Sequence, residues 1–235
     1  MKHKDGDYYF HLTYHKNFQT KKIEEAWTVM GIDLGINFLA VASTTDKKCK
    51  SFAGGEIKNK RNVYRNMRAR LQSKGTLSAK RMIKHLAGKE KRLMNNTNHC
   101  ISKAIIRFAV ENGVSVIGLE DLTGIRDRTN NNLRKKQKYL HNNWAFYQLQ
   151  QFIEYKAKSS GIITEYVNPE YTYKACCRCN HISKNSRNGL KFLCDTCGFE
   201  LNADLNGARN IEHRTRDYRY ILESQGCLST THTEI

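Results

Sequence analysis

At 235 residues, with about 150 residues per domain, the chain has room for one large domain or one domain plus an insertion. It holds 40 Lys and Arg against 22 Asp and Glu, a formal charge of +18. No apolar run approaches the ~18 residues that span a membrane, and the first residues, with His3, Asp5 and Asp7, do not read as a secretory signal. The expectation is a cytoplasmic, basic protein with no membrane contact and an anionic partner, nucleic acid before others.

In chain order, Tyr8–His15 reads as a strand rich in aromatics, Trp27–Leu34 as a second strand and Phe38–Ser43 as a third. Thr44-Thr45-Asp46-Lys47-Lys48 suits a hairpin turn into Cys49–Ala53. Helical texture follows, with Val63, Met67 and Leu71 spaced by four and Ile101, Ile105 and Phe108 by four and three. Gly75 and Gly88 interrupt this region, so more than one helix is expected there. Val114–Glu120 is again a strand, and Asp127–Lys138, polar and basic around Leu133, reads as a loop. Phe146, Leu149, Phe152, Ile153 and Ala157 mark the buried side of a helix that stops near Gly161. Ile162–Val167 is a further strand, closed by Pro169, the only proline. A cysteine-rich segment, Cys176–Cys197, precedes a helix from about Ala203 to His213, and the tail from Ser224 has little core content. Strands interleaved with helices in this order indicate a mixed α/β sheet covered by helices.

The basic residues are concentrated. The 37 residues from Ile57 to Leu93 contain 13 Lys or Arg and a single acid, Glu90. Arg61, Arg65 and Arg68 recur at helical spacing, and with Lys80, Arg81 and Lys84 they are the candidates for phosphate contact. Such contacts position a nucleic acid without reading its sequence.

Three carboxylates stand out against this basic background. In Gly31-Ile32-Asp33-Leu34-Gly35, strand alternation puts Met30, Ile32 and Leu34 on one face and Asp33 on the other, between two glycines expected to leave room for a metal and a phosphate. A carboxylate in an apolar strand is costly unless it is paired or binds a cation. Glu120 shares a face with Gly118 at the end of Val114–Glu120, and Asp204 opens a helix just past the cysteines. Taken singly, Asp33 can close a turn, Glu120 can end its strand and Asp204 can stabilise a helix N-terminus. Together they form the hard oxygen set that Mg²⁺ prefers, and two such ions support phosphodiester cleavage.

Four of the eight cysteines form one pattern, Cys176-x2-Cys179, fourteen residues, Cys194-x2-Cys197. Thiolate pairs at this spacing converge tetrahedrally on Zn²⁺, and four thiolates leave no open position, so the expected role is structural. Cys177 and His181 are rival ligands, whereas Cys49, Cys100 and Cys227 read as ordinary thiols. Arg187 and Lys184, between the two cysteine pairs, are candidates to contact the scissile strand, with a solvated loop as the equal alternative.

At this point a resemblance is specific. Gly31-Ile32-Asp33-Leu34-Gly35-Ile36-Asn37, Leu119-Glu120-Asp121-Leu122 and Asn202-Ala203-Asp204-Leu205-Asn206-Gly207-Ala208-Arg209-Asn210-Ile211 resemble the three RuvC motifs of the TnpB (OrfB) family. These are transposon-associated proteins, long labelled transposases and related to type V CRISPR effector nucleases. Ser78-Ala79-Lys80-Arg81, Asn98-His99-Cys100-Ile101-Ser102-Lys103, Trp144-Ala145-Phe146 and Tyr171-Thr172 are further matches, so the resemblance runs from about Tyr8 to Ile211. It implies an RNase H-like (RuvC) mixed sheet flanked by helices with an inserted zinc ribbon. It also implies an RNA-guided, Mg²⁺-dependent DNA endonuclease, with Asp33, Glu120 and Asp204 as catalytic acids and magnesium ligands and with DNA and a guide RNA as partners. The division expected on this basis is residues 1–20 as a remnant wedge strand, 27–169 as the nuclease domain with basic helices over 57–113, 170–199 as the ribbon, 200–223 as the last motif and its helix, and 224–235 as a tail. Family members carry a larger N-terminal part that grips guide RNA, so a truncated form is expected. The alternatives are a nucleic-acid-binding remnant that does not cut and a stand-alone junction resolvase of the RuvC type.

Overall fold

The structure, a computed structural model, describes residues 2–4, 7–10, 12–13, 28–123 and 146–224. The expected loop Asp127–Lys138, Trp144, Ala145, Cys227, the tail beyond 224, Trp27 and, within Tyr8–His15, His11, Tyr14 and His15 lie outside the described residues. Within that last segment only β2 (Asp7–Tyr9) is extended, paired antiparallel with β1 (Lys2–Lys4), while Phe10 and Leu12 are exposed and outside any strand.

A five-stranded sheet forms the centre. It comprises β3 (Thr28–Asp33), β4 (Phe38–Thr44), β5 (Cys49–Ala53), β6 (Val114–Glu120) and β7 (Ile163–Val167), in the spatial order β5-β4-β3-β6-β7. The first three run as an antiparallel meander, and β6 and β7 then add in parallel to β3. Parallel addition requires a crossover, which is why helices stand between β5, β6 and β7 in sequence. Gly31 of β3 lies beside Gly118 of β6 in the parallel register.

The two faces of the sheet are covered by different helices. Met30, Ile32, Ile117 and Leu119 point into one apolar core with Met94, Ile101, Ile105, Ile106 and Ala109 of α2 (Leu77–Glu111) and Phe146, Leu149, Ile153 and Ala157 of α3 (Phe146–Ser159). The opposite face carries α4 (Ala203–Ser224), which packs across β3, β4, β6 and β7. Here Gly31 and Gly118 make a groove without side chains. A Cβ on Gly31 would sit 2.1 Å from the Ala208 carbonyl oxygen, and one on Gly118 would sit 1.9 Å from Thr215 Oγ1. The room beside Gly31 is therefore filled by α4 itself, a correction to the expectation that it would admit a metal and a phosphate, whereas a Cβ on Gly35, the other glycine flanking Asp33, would meet the Phe38 carbonyl oxygen at 2.9 Å and Asp204 Oδ2 at 4.0 Å.

α1 (Gly55–Lys74) ends at Gly75, whose φ of +64° is the left-handed turn that glycine adopts without strain. Gly88, by contrast, lies inside the continuous 35-residue α2 and breaks nothing. The face of α1 also differs from expectation. Val63 and Met67 are 56% and 44% exposed, whereas Arg61 is 1% exposed, with Nε 3.4 Å from Glu90 Oε1. Arg68 pairs with the other oxygen of the same carboxylate. The single acid of the basic stretch thus clamps α1 onto α2. Arg61 and Arg68, expected to meet phosphate, are engaged with it. Lys80, Arg81 and Lys84, near the start of α2, are exposed.

Candidate functional site

The segment after β7 folds into a small lobe built on three short strands, β8 (Arg187–Asn188), β9 (Lys191–Leu193) and β10 (Glu200–Asn202), in the order β10-β9-β8. Its own core is Phe192 and Ala203 packed with cysteines. Sγ of Cys176 lies 3.8 Å from that of Cys197, and Sγ of Cys179 lies 3.6 Å from that of Cys194. All four sulfurs lie within 4.8 Å of one another. A tetrahedral ion with metal–sulfur bonds of ~2.3 Å needs sulfurs about 3.8 Å apart, so the donor set fits one metal ion. The backbone N–H of Cys197 heads the donors aimed at the Cys194 sulfur and helps pull its thiol down to about 6. Neither expected rival joins them. Cys177 is buried beside Arg209, with burial pushing its thiol up, and His181 Nε2 faces Asp195 Oδ1 at 3.1 Å.

The carboxylates come from three elements. Asp33 ends β3, Glu120 ends β6 and Asp204 stands in the first turn of α4, where Asn202 Oδ1 accepts from the N–H groups of Asp204 and Leu205. The parallel pairing of β3 with β6 puts the first two at the same sheet end, and α4 brings the third across their face. Gly207, one turn after Asp204, lies so near that a Cβ there would be 3.2 Å from Asp33 Oδ2. Burial raises the Asp33 pKa well above its ordinary 3.8, and the Glu120 and Asp204 charges raise it further, while Arg187 and the Leu34 N–H oppose them. Like charges held together in this way favour a bound cation.

Two further groups complete the arrangement. Arg187, on the small lobe, places Nη2 2.8 Å from Asp204 Oδ1, with its Nε on the Gly189 carbonyl at 3.2 Å. Thr172, buried in the turn after β7, donates its hydroxyl to Glu120 Oε1. Thr172 entered the sequence reading only within the Tyr171-Thr172 match, and Asn206 and Asn210, which hold the small lobe to α4, only within the third motif, none with a role of its own. Their signal was present in the spacing, since Asn202, Asn206 and Asn210 recur every fourth residue and polar groups so placed share one helix face. Lys184 is exposed on the small lobe.

Comparison with known proteins agrees along most of the chain. The family model OrfB_IS605, described as "Probable transposase", matches residues 11–126, and the model described as "Cas12f1-like, TNB domain" matches residues 146–211. The CRISPR-associated endodeoxyribonuclease Cas12f1 of Sulfoacidibacillus thermotolerans is 34% identical over 219 residues, covering 87% of this chain and 49% of that protein. TnpB-like protein MJ0751 of Methanocaldococcus jannaschii is 36% identical over 142 residues, covering 60% of this chain and 50% of that protein. The chain thus spans about half the length of these curated relatives. A Cas12f1 chain solved in complex with sgRNA and target DNA superposes with a TM-score of 0.67 at 23% identity, over 83% of this chain and 52% of that one, a likeness of fold. Among the described residues no helix is long and apolar enough to cross a membrane. By its motifs, the two matching family models and these relatives, the chain belongs to the TnpB (OrfB) family.

Proposed function

We propose that the chain is the nuclease portion of an RNA-guided DNA endonuclease, with Asp33, Glu120 and Asp204 as its catalytic acids. The observation that carries this reading is the juxtaposition of three carboxylates from β3, β6 and α4, strong enough for Glu120 and Asp204 to raise the Asp33 pKa, on a chain of formal charge +18. The strand order β5-β4-β3-β6-β7, with three antiparallel strands followed by two parallel ones, supports an RNase H-like reading of the sheet. Hard carboxylate oxygens fit Mg²⁺, and phosphodiester cleavage of this class calls for two such ions. When bound there, such ions supply an activated water and stabilise the leaving oxygen of a phosphodiester.

The chain's own residues then have separable tasks. Asp33 at the end of β3, Glu120 at the end of β6 and Asp204 in the first turn of α4 would hold the cations. Arg187, whose Nη2 lies 2.8 Å from Asp204 Oδ1, would present its other guanidinium N–H groups to a phosphate. Hydrolysis proceeds in line by water, with no protein nucleophile. Lys80, Arg81 and Lys84 lie exposed on α2 and hold phosphates away from the reacting bond. The four cysteines hold structural Zn²⁺, and the partners are target DNA and a guide RNA.

The test is cleavage of labelled single- and double-stranded DNA by purified protein, with and without co-purified RNA, in Mg²⁺ and in EDTA. Mg²⁺-dependent cutting that disappears in Asp33→Ala while DNA binding persists supports the proposal. DNA binding without cutting under every condition, or cutting that survives Asp33→Ala, overturns it.

A further inference from the structure

We infer that Thr172 is a positioning residue for Glu120, and that a hydrogen-bonded bridge from Thr172 through Asn210 and Asn206 couples occupancy of the four-cysteine site to divalent-ion affinity at the carboxylates. The inference rests on the proposed reading of Glu120 as a cation ligand and adds a route between two sites 56 residues apart in sequence, from Glu120 to Cys176.

Thr172 is 1% exposed, and its Oγ1 lies within hydrogen-bonding reach of both the Pro169 carbonyl, at 2.9 Å, and Glu120 Oε1. A hydroxyl has one proton to give, and an ionised carboxylate is the stronger acceptor, so the bond to Glu120 takes it. That bond fixes one carboxylate oxygen and, through it, the direction in which the carboxylate faces. Partners that orient metal-holding side chains in this way are worth about 10- to 100-fold in metal affinity.

Thr172 is itself held. Asn210 Nδ2 donates to the Thr172 carbonyl at 2.7 Å and to the Ala175 carbonyl at 2.7 Å. Asn206 Nδ2 donates to the same Ala175 carbonyl at 2.8 Å, and its Oδ1 accepts from the Cys177 N–H at 3.0 Å. One asparagine therefore grips the backbone on both sides of Cys176, a member of the four-sulfur cluster. Asn206 and Asn210 are buried, and their helix is the one that carries Asp204 and lays Gly207 against Asp33. The hydrogen-bond partners of both asparagines are backbone groups of residues 172, 175 and 177. Their side chains join the cysteine knuckle to the turn that bears Thr172. With the cluster occupied, the knuckle is rigid and this frame is complete. With it empty, Cys176 is no longer tied to Cys194 and Cys197 through a common ion, and the backbone gripped by Asn206 loses its anchor. Coupling of this kind is reciprocal, so divalent ions at the carboxylates must in turn tighten metal retention by the cysteines.

The experiment is an equilibrium Mn²⁺ titration followed by electron paramagnetic resonance on zinc-loaded protein, comparing wild type with Thr172→Val, Thr172→Ser and Glu120→Gln. Far-UV circular dichroism and zinc content check each variant, and Thr172→Ala replaces Thr172→Val if the latter does not fold. A further arm strips zinc from the wild type with a mercurial and repeats the titration. The expected result is a 10- to 100-fold weaker Mn²⁺ affinity in Thr172→Val and in the zinc-stripped protein, with Thr172→Ser restoring it to within a few-fold of wild type. Equal loss in Thr172→Val and Thr172→Ser overturns the positioning role in favour of packing. Unchanged affinity after zinc removal overturns the coupling. If Glu120→Gln weakens Mn²⁺ binding and Thr172→Val does not, this inference alone falls. If Glu120→Gln has no effect, the reading of Glu120 falls with it.

Discussion

The replacement of Gly31 by alanine puts the assembly of the carboxylate cluster under direct strain. The new Cβ would meet the Ala208 carbonyl oxygen at 2.1 Å and the Glu212 backbone nitrogen at 2.3 Å. Both obstacles are backbone atoms of α4, so no rotamer change relieves the clash, and the helix must retreat by about 1 Å to reach ordinary contact. Inserting one methyl group into such a contact costs roughly 1–3 kcal/mol. At 2–4 °C per kcal/mol for a chain of this size, the melting temperature falls by about 2–12 °C. The same retreat draws Asp204 away from Asp33, and a 1 Å misplacement at a reacting centre costs about 10²-fold in rate. Gly118→Ala provides the contrast, because its nearest obstacle is Thr215 Oγ1, a side-chain atom. Thr215→Ala therefore partly rescues Gly118→Ala and leaves Gly31→Ala unrescued. Calorimetric melting together with a Mn²⁺ titration checks the set. A Gly31→Ala protein with wild-type melting and wild-type metal affinity would refute the reasoning, as would rescue of both glycine variants by Thr215→Ala.

Three further outcomes are expected. Glu90→Ala leaves buried Arg61 without its carboxylate and costs about 3–5 kcal/mol, read as a fall in melting temperature, whereas the double variant Arg61→Met/Glu90→Leu recovers most of it. Asp33→Asn stabilises the metal-free protein. Its wild-type pKa is raised above 3.8, so the favourable contribution of the protonated acid is complete below that value and is lost as pH rises through the raised one. The gain from Asp33→Asn, measured by denaturant unfolding in EDTA across pH, is accordingly small below pH 3.8 and grows as pH rises. Cys176→Ser lowers bound zinc measured by atomic absorption and opens the small lobe to proteolysis first, because that lobe's apolar core is little more than Phe192 and Ala203.

How much of this was legible in the sequence depends on the range of the signal. Apolar runs located β3, β4, β6 and β7 to within a residue or two, and strand alternation put Asp33 opposite Met30 and Ile32, where the structure has it facing α4. Gly75 and Gly88 looked alike as breakers, yet only Gly75 takes a left-handed backbone. A mid-helix glycine costs about 1 kcal/mol, which the buried Leu86 and Met94 on either side of Gly88 outweigh. The burial of Arg61 left no trace in the sequence, because period-four apolar residues such as Val63 and Met67 are the usual core signal, while here a carboxylate on another helix draws Arg61 inside. Glu90 was visible as the lone acid, but its partners are 29 and 22 residues away and no local pattern names them. The same limit applies to α4, expected to stop near His213 but continuing to Ser224, with Thr215 buried against the sheet. The distance between β3 and α4 is set by Gly31 meeting Ala208, a contact across 177 residues that no periodicity reports.

The central claim is that Asp33, Glu120 and Asp204 act together as one divalent-ion site that cuts DNA. Its most direct test is Mg²⁺-dependent cleavage by the near-isosteric variants Asp33→Asn, Glu120→Gln and Asp204→Asn, each at DNA concentrations that saturate binding and with guide RNA supplied. The account predicts that each variant binds DNA as wild type does and loses cleavage by at least about 10²-fold, as removal of a single charge-stabilising group at a reacting centre does. Wild-type cutting in any one of the three, or cutting that persists in EDTA, would contradict it.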